Sequence, residues 1–89
     1  MNVIEQMQQK LAVLSPSAIQ IIDDSAKHAG HAGAKSGGGH YQLAITSSDF
    51  SGKPTIARHR MIYDALGDMM QQQIHALSIQ AQTPEENQK

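Results

Sequence analysis

The sequence predicts an α+β domain: a three-stranded mixed sheet with helices on one face, in the order α-β-β-α-β. Three observations carry this. Tyr41, Leu43 and Ile45 alternate as one face of a strand does. Ile62, Leu66 and Met69 recur at helical spacing, flanked by Tyr63 and Met70. The chain has 89 residues, and a chain of that size buries only about 60–65% of the surface it exposes unfolded, so one small core is all it can build.

The elements follow in order. Val3, Ile4, Met7, Leu11 and Leu14 recur at steps of three and four, which is an amphipathic helix, and Ser15-Pro16-Ser17 stops it. Ala18 to Asp23 is a short strand rich in β-branched isoleucine. Asp24 to Gly39 is a long loop of glycine and alanine with two histidines and no apolar anchors. It is expected to be the most mobile internal segment, and a loop that long in a small domain points to function. His40 to Ser47 is the second strand. Ser48 to Pro54 turns the chain, and Thr55 serves as N-cap of a helix running to about Gln72. Ile74 to Gln82 is the third strand. Thr83 caps a final helical turn with Pro84 at its first position, and a polar tail follows.

Composition excludes several classes. Cysteine is absent, so no disulfide forms and no thiolate serves as nucleophile or metal ligand. Seven Lys/Arg against eight Asp/Glu leave a net charge of −1, unlike the basic surplus of dedicated nucleic-acid binders. Tyr41, Phe50 and Tyr63 are the whole aromatic complement, too few for a single-strand stacking platform. The apolar runs fall far short of the ~20 residues of a membrane span. The first ten residues show neither a hydrophobic signal segment nor the arginines of a transit peptide. A cytoplasmic protein is expected.

Chemistry rests on five histidines and a few cations. His59 lies on the Ile62–Leu66 stripe and is expected to point at the sheet as a buried, hydrogen-bonded imidazole. Beside it, Arg58 and Arg60 join Lys53 either in a small basic patch or as an ordinary solvated helix face. His75 opens the third strand on the face of Leu77 and Ile79, at the rim. A neutral imidazole there is either packed in place or a donor to a borderline metal. His28 and His31 form H-A-G-H in the glycine-rich loop, either idle or able to swing towards His75. His40 reads as a structural or surface residue beside Tyr41. Gly30-His31-Ala32-Gly33 has the letters of a phosphate clamp but lacks the flanking helices a clamp needs. The Ser36–Gly39 run is not a P-loop, since no Gly-Lys-Ser/Thr ends it. No nucleophile, base and oxyanion set assembles, so an enzyme is not expected.

Taken together, Phe50-x-Gly52, Arg58-His59-Arg60, Ile62-Tyr63, Leu66, Ile74-His75-Ala76-Leu77 and Thr83-Pro84-Glu85 resemble the BolA family, as do Asp24-Ser25 and the loop histidines before His40-Tyr41. The resemblance covers residues 1–86 as a single domain, with 87–89 as a tail. It implies a fold similar to a class II KH domain without the GxxG clamp. It also implies partnership with a monothiol glutaredoxin and a [2Fe–2S] cluster shared with that protein and glutathione. On this side the implied ligands are His75 and a loop residue. His31, nine positions before His40, matches the histidine-bearing subtype, and His28 is the fallback. Imidazole in place of thiolate removes negative charge and raises a cluster's potential. Two histidines cannot hold a cluster alone, so the isolated protein is expected to carry no cofactor, and by itself it is expected to be a monomer. The resemblance also implies, as an alternative, a DNA-binding regulator of morphology and stress response acting through Lys53, Arg58 and Arg60. The near-neutral charge argues against strong non-specific binding. A third possibility is a plain zinc or copper site from His28, His31 and His75.

Overall fold

The computed structural model describes residues 2–24 and 39–87. Most of the glycine-rich loop, with His28 and His31, lies outside the described residues, as does the expectation of its mobility.

The first helix, α1 (Val3–Leu11), opens on a reciprocal cap. The Glu5 amide donates to Asn2 Oδ1 at 2.8 Å, and the Asn2 amide donates to the Glu5 carboxylate at 3.3 Å. A 3₁₀ turn, Ala12–Leu14, tightens its end, and Ser15 stops it in the left-handed region at φ 50°. The Ser47 hydroxyl, fully buried, donates to the Leu14 carbonyl at 2.5 Å. That bond ties the end of α1 to the far end of the central strand.

The sheet contains β1 (Ala18–Asp23), β2 (Gly39–Thr46) and β3 (Ile74–Gln82), in the spatial order β1-β2-β3. β1 pairs antiparallel with β2, and β2 pairs parallel with β3. The parallel pair needs a crossover, and helices supply it. A 3₁₀ turn, Ser48–Phe50, leads into α2 (Thr55–Leu66), which is followed by the short α3 (Met69–Gln72). After β3, α4 (Pro84–Asn87) closes the described chain. Among the described residues no helix is long and apolar enough to cross a membrane.

Alternation along the central strand builds the core. Tyr41, Leu43 and Ile45 are buried, facing Met7 and Leu11 from α1, Leu14 from the turn after it, and Ile62 and Leu66 from α2. Met69, Ile74 and a fully buried Phe50 complete the cluster. Ile19, Ile21, Leu77, Ile79 and Ala81 flank it, half-buried, on the outer strands. The register sets Ile22, Gln42 and Ser78 in one row across the other sheet face, and Gln20, Ala44 and Gln80 in the next. No helix covers those rows among the described residues, so the sheet is packed on one side and wet on the other.

Two details of the crossover differ from the sequence reading. Pro54, not Thr55, occupies the cap position of α2, and its carbonyl accepts the first helical bond from the Arg58 amide at 3.1 Å. The helix does not run on to Gln72. Gly67 adopts φ 58° and ψ −130°, which ends α2, and α3 restarts two residues later. Leu66 and Met69, on either side of the break, both stay in the core while the chain turns into β3. A side chain at Gly67 would be held in a backbone region that only glycine occupies without strain. Gly67→Ala is therefore expected to lower stability by about 1–2 kcal/mol, read as a reduced midpoint in urea unfolding with an unchanged slope.

Candidate functional site at the joint start of β2 and β3

In a parallel pair both strands begin at the same end. His40 follows the first residue of β2 and His75 follows the first residue of β3. Their rings stand side by side, with centroids 5.1 Å apart and planes tilted by 48°.

A β-bulge sets this geometry. Gly39 pairs with Ile74, but His40 pairs with Ala76, so His75 is an extra residue between two paired positions. Ile74 is buried and Leu77 is half-buried on the same packed side. Three steps separate them, an odd number, so strict alternation cannot place both inward. The bulge absorbs the extra step and leaves His75 exposed. This corrects the expectation that His75 shares the inward face of Leu77 and Ile79. The Gly39 amide donates to the Gln73 carbonyl at 2.9 Å and anchors the bulge to the end of α3. A Cβ on Gly39 would come within 2.5 Å of the Tyr41 ring, which folds back over it. A larger residue here would have to displace the outer end of that ring.

The end of β1 joins the same place. The Asp24 amide donates to the His40 carbonyl at 2.7 Å, and the Gln42 side-chain amide donates to the Asp24 carboxylate. Burial, and then the facing Asp23 carboxylate, push the Tyr41 phenol above its ordinary pKa. The structure thus brings His40 and His75 together, whereas the sequence alone reads His40 as a structural or surface residue. The signal that finds it is topological: two histidines, each near the start of its strand, become neighbours once a helical crossover makes those strands parallel. Among the described residues no group of three or more His, Cys, Asp or Glu side chains is placed to hold a metal.

The cations at the start of α2 separate into two kinds. Lys53 and Arg60 are exposed. The Arg58 side chain is only 12% exposed and lies over the Phe50 ring, 6.0 Å from its centroid. Its Nε donates to the Lys53 carbonyl at 2.8 Å, and Nη1 donates to the Ala81 carbonyl at 3.0 Å. Nη1 and Nη2 grip the Glu86 carboxylate at 2.7 and 3.1 Å. Glu86 in turn caps α4: its carboxylate accepts from the Thr83 amide at 2.9 Å, and its amide donates to the Thr83 hydroxyl at 3.2 Å. His59 is half-buried, not fully covered as expected. It meets the exposed Tyr63 edge-on at 6.5 Å, because the ring sits at the margin of the stripe.

Comparison with known proteins agrees with this architecture. A family profile described as BolA-like protein matches residues 11–86. The chain is 44% identical over 78 residues to SufE-like protein 1 of Arabidopsis thaliana, covering 82% of this chain and 21% of that protein. It is 32% identical over 87 residues to the DNA-binding transcriptional regulator BolA of Escherichia coli K12, covering 97% of this chain and 80% of that protein. The solved BolA domain of SufE1 from Arabidopsis thaliana superposes with a TM-score of 0.80 at 39% identity, covering 97% of this chain and 98% of that one. The chain spans between about a fifth and a half of the first curated relatives it matches.

The Arg58–Glu86 pair has a pH signature. The hydrogen bond from Arg58, then that from the Thr83 backbone, holds the Glu86 carboxyl down at about 2, against an ordinary 4.5. Well above pH 4.5 the carboxyl is ionised in both folded and unfolded chains, and its contribution is complete. As pH falls towards 2 the unfolded chain takes up the proton first, and the contribution is lost. The urea midpoint of the wild type is expected to fall more steeply across that window than that of Glu86→Gln, with the two curves converging at the acid end. Parallel curves would mean that the pair is not formed in solution.

Proposed function

The chain belongs to the BolA-like protein family, and on that premise we propose that it is a non-enzymatic partner of a monothiol glutaredoxin. It works in the cytoplasm, in iron–sulfur trafficking or in iron and redox regulation, by contributing histidines to a [2Fe–2S] cluster shared across the interface. The observation that carries this reading is the exposure of His75 at a bulge on the sheet end. A bulge next to a strand start re-aims one side chain outward without disturbing the core behind it. An imidazole presented this way is accessible to another chain.

The donor chemistry fits. Imidazole is a suitable ligand for iron, and neutral donors balance the thiolates that a glutaredoxin cysteine and glutathione bring. His75 is one ligand. The other comes from the loop between β1 and β2, His31 first and His28 as fallback, which approaches the same sheet end through Asp24 and Gly39. The cluster, when bound, supplies the redox and iron chemistry. This chain's part is to offer two neutral nitrogens and to set the charge of its half of the site. With cysteine absent, imidazole takes the place of thiolate among the donors this chain can offer.

A second reading is favoured by one relative, the Escherichia coli protein named as a DNA-binding transcriptional regulator. In this reading the start of α2 meets phosphate. Lys53 and Arg60 are its exposed cations, whereas Arg58 is neutralised by Glu86. Two phosphate contacts give a log–log salt slope of about −2 on duplex DNA. Arg60→Glu should weaken binding and flatten that slope, and unchanged affinity in that variant would remove this surface from consideration.

For the main reading, His75→Ala is expected to keep the fold, because an exposed side chain loses little packing. It should abolish the change in visible absorption and circular dichroism produced by adding [2Fe–2S]-loaded glutaredoxin. His31→Ala should weaken the shared species, with partial rescue by His28. A His75→Ala protein that develops the wild-type spectrum would overturn the ligand assignment.

A further inference from the structure

We propose that His40 and His75 form a two-imidazole site for a single first-row divalent ion, of the zinc or cobalt type, in the protein by itself. The site needs neither a partner chain nor a thiolate. It shares His75 with the cluster reading above, but it draws its second nitrogen from the floor of the sheet rather than from the loop.

The argument is geometric. An imidazole nitrogen lies about 1.1 Å from its ring centroid and a zinc–nitrogen bond is about 2.0–2.1 Å, so each ring centroid sits about 3.2 Å from a bound ion. At a tetrahedral angle two such centroids are about 5.2 Å apart. The rings of His40 and His75 stand 5.1 Å apart. Their tilt of 48° leaves them unstacked, and the last side-chain torsion of histidine is broad enough for both rings to aim at a common point. The backbone beneath them is held in place. β2 and β3 are paired along their length, the Gly39 amide is bonded to Gln73, and the bulge fixes where His75 emerges. Two donors on neighbouring strands lose less freedom on chelation than two donors on loops.

Coordination uses one nitrogen of each ring. A hydrogen bond at the other nitrogen orients the ring instead of competing with the ion. The Asp24 carboxylate, held by the Gln42 amide, adds negative charge to the same sheet end. No third histidine, cysteine or carboxylate among the described residues joins the pair. The ion therefore keeps water at its remaining positions, the arrangement of an open site rather than a closed structural one. Neutral imidazole pairs favour zinc, cobalt, nickel and copper over magnesium and calcium, which require oxygen.

The test uses the intact protein with metal alone. Zinc is titrated into nitrogen-15-labelled protein while the imidazole nitrogens are followed by NMR, and cobalt binding is followed by its visible absorption. One ring nitrogen each of His40 and His75 should shift together with a single saturation curve, and magnesium should shift neither. His40→Gln and His75→Gln should each weaken binding about tenfold or more, since even outer-shell partners of a metal site are worth that much. His59→Gln, away from the pair, should bind as the wild type does. If His75 responds without His40, or His40→Gln keeps wild-type affinity, the site is overturned. The same holds if His28→Ala/His31→Ala abolishes binding while His40→Gln does not. Should His40→Gln disturb the backbone amide spectrum, the paired wild-type nitrogen shifts decide the matter alone. Because no glutaredoxin is present, a failure here leaves the cluster reading standing, and a failed glutaredoxin titration leaves this site standing.

Discussion

Parallel pairing between β2 and β3 is the constraint from which most of this structure follows. Parallel strands cannot be joined by a hairpin, so the chain between Thr46 and Ile74 must cross the sheet and return to the end where β2 began. Phe50, Ile62, Leu66 and Met69, all from that crossover, cover the central strand and are buried against Tyr41, Leu43 and Ile45. Gly67 breaks the crossover where a straight helix would overshoot the start of β3. The same pairing makes the two strand starts neighbours, and with them His40 and His75. Core, crossover and candidate site are thus three results of one topological choice.

The pairing leaves β3 at the margin of the sheet, where unpaired carbonyls invite association with other chains. The chain answers with Arg58. The Gln82 carbonyl bonds back to Ser47, in continuation of β2, while the Ala81 carbonyl points the other way and is taken by the guanidinium. Glu86 neutralises that cation and caps α4 with the same carboxylate. A sequence triplet that reads as a basic cluster therefore contains one residue that holds an edge closed and one, Arg60, that meets solvent. An exposed ion pair alone is worth little. This one is supported by two backbone carbonyls and an aromatic face.

The two ends of the sheet are consequently unlike. At the Thr46 and Gln82 end, hydrogen bonds from Ser17, Ser47 and Arg58 tie the sheet to the segment before β1, to the turn after α1 and to α2. At the other end, a bulge sets an exposed imidazole beside a half-buried one, next to the loop that links β1 to β2. A backbone held by strand pairing and an exposed imidazole suit a site that accepts a ligand from outside, whether a cluster held by another protein or an ion from solution.

Periodicity is a local property, and what it reports was legible. β1 spans Ala18–Asp23 and β3 spans Ile74–Gln82, as alternation and β-branched content predict, and the buried faces of α1, β2 and α2 are those of the apolar stripes. The Thr83 cap was visible for the same reason, since it and the turn it caps are adjacent in sequence. His75 stood out because it opens a strand, within a pattern of motifs that marks the family. The tertiary structure alone decided the rest. The Arg58–Glu86 grip joins residues 28 positions apart. The bulge exists only because β3 must match the register of β2, and a strand read by itself alternates without interruption. The break at Gly67 depends on where β3 must begin, and a glycine in a helical pattern does not state that. His40 acquired its neighbour from strand pairing, because distance in space between two strand starts is a property of topology and is written in neither strand.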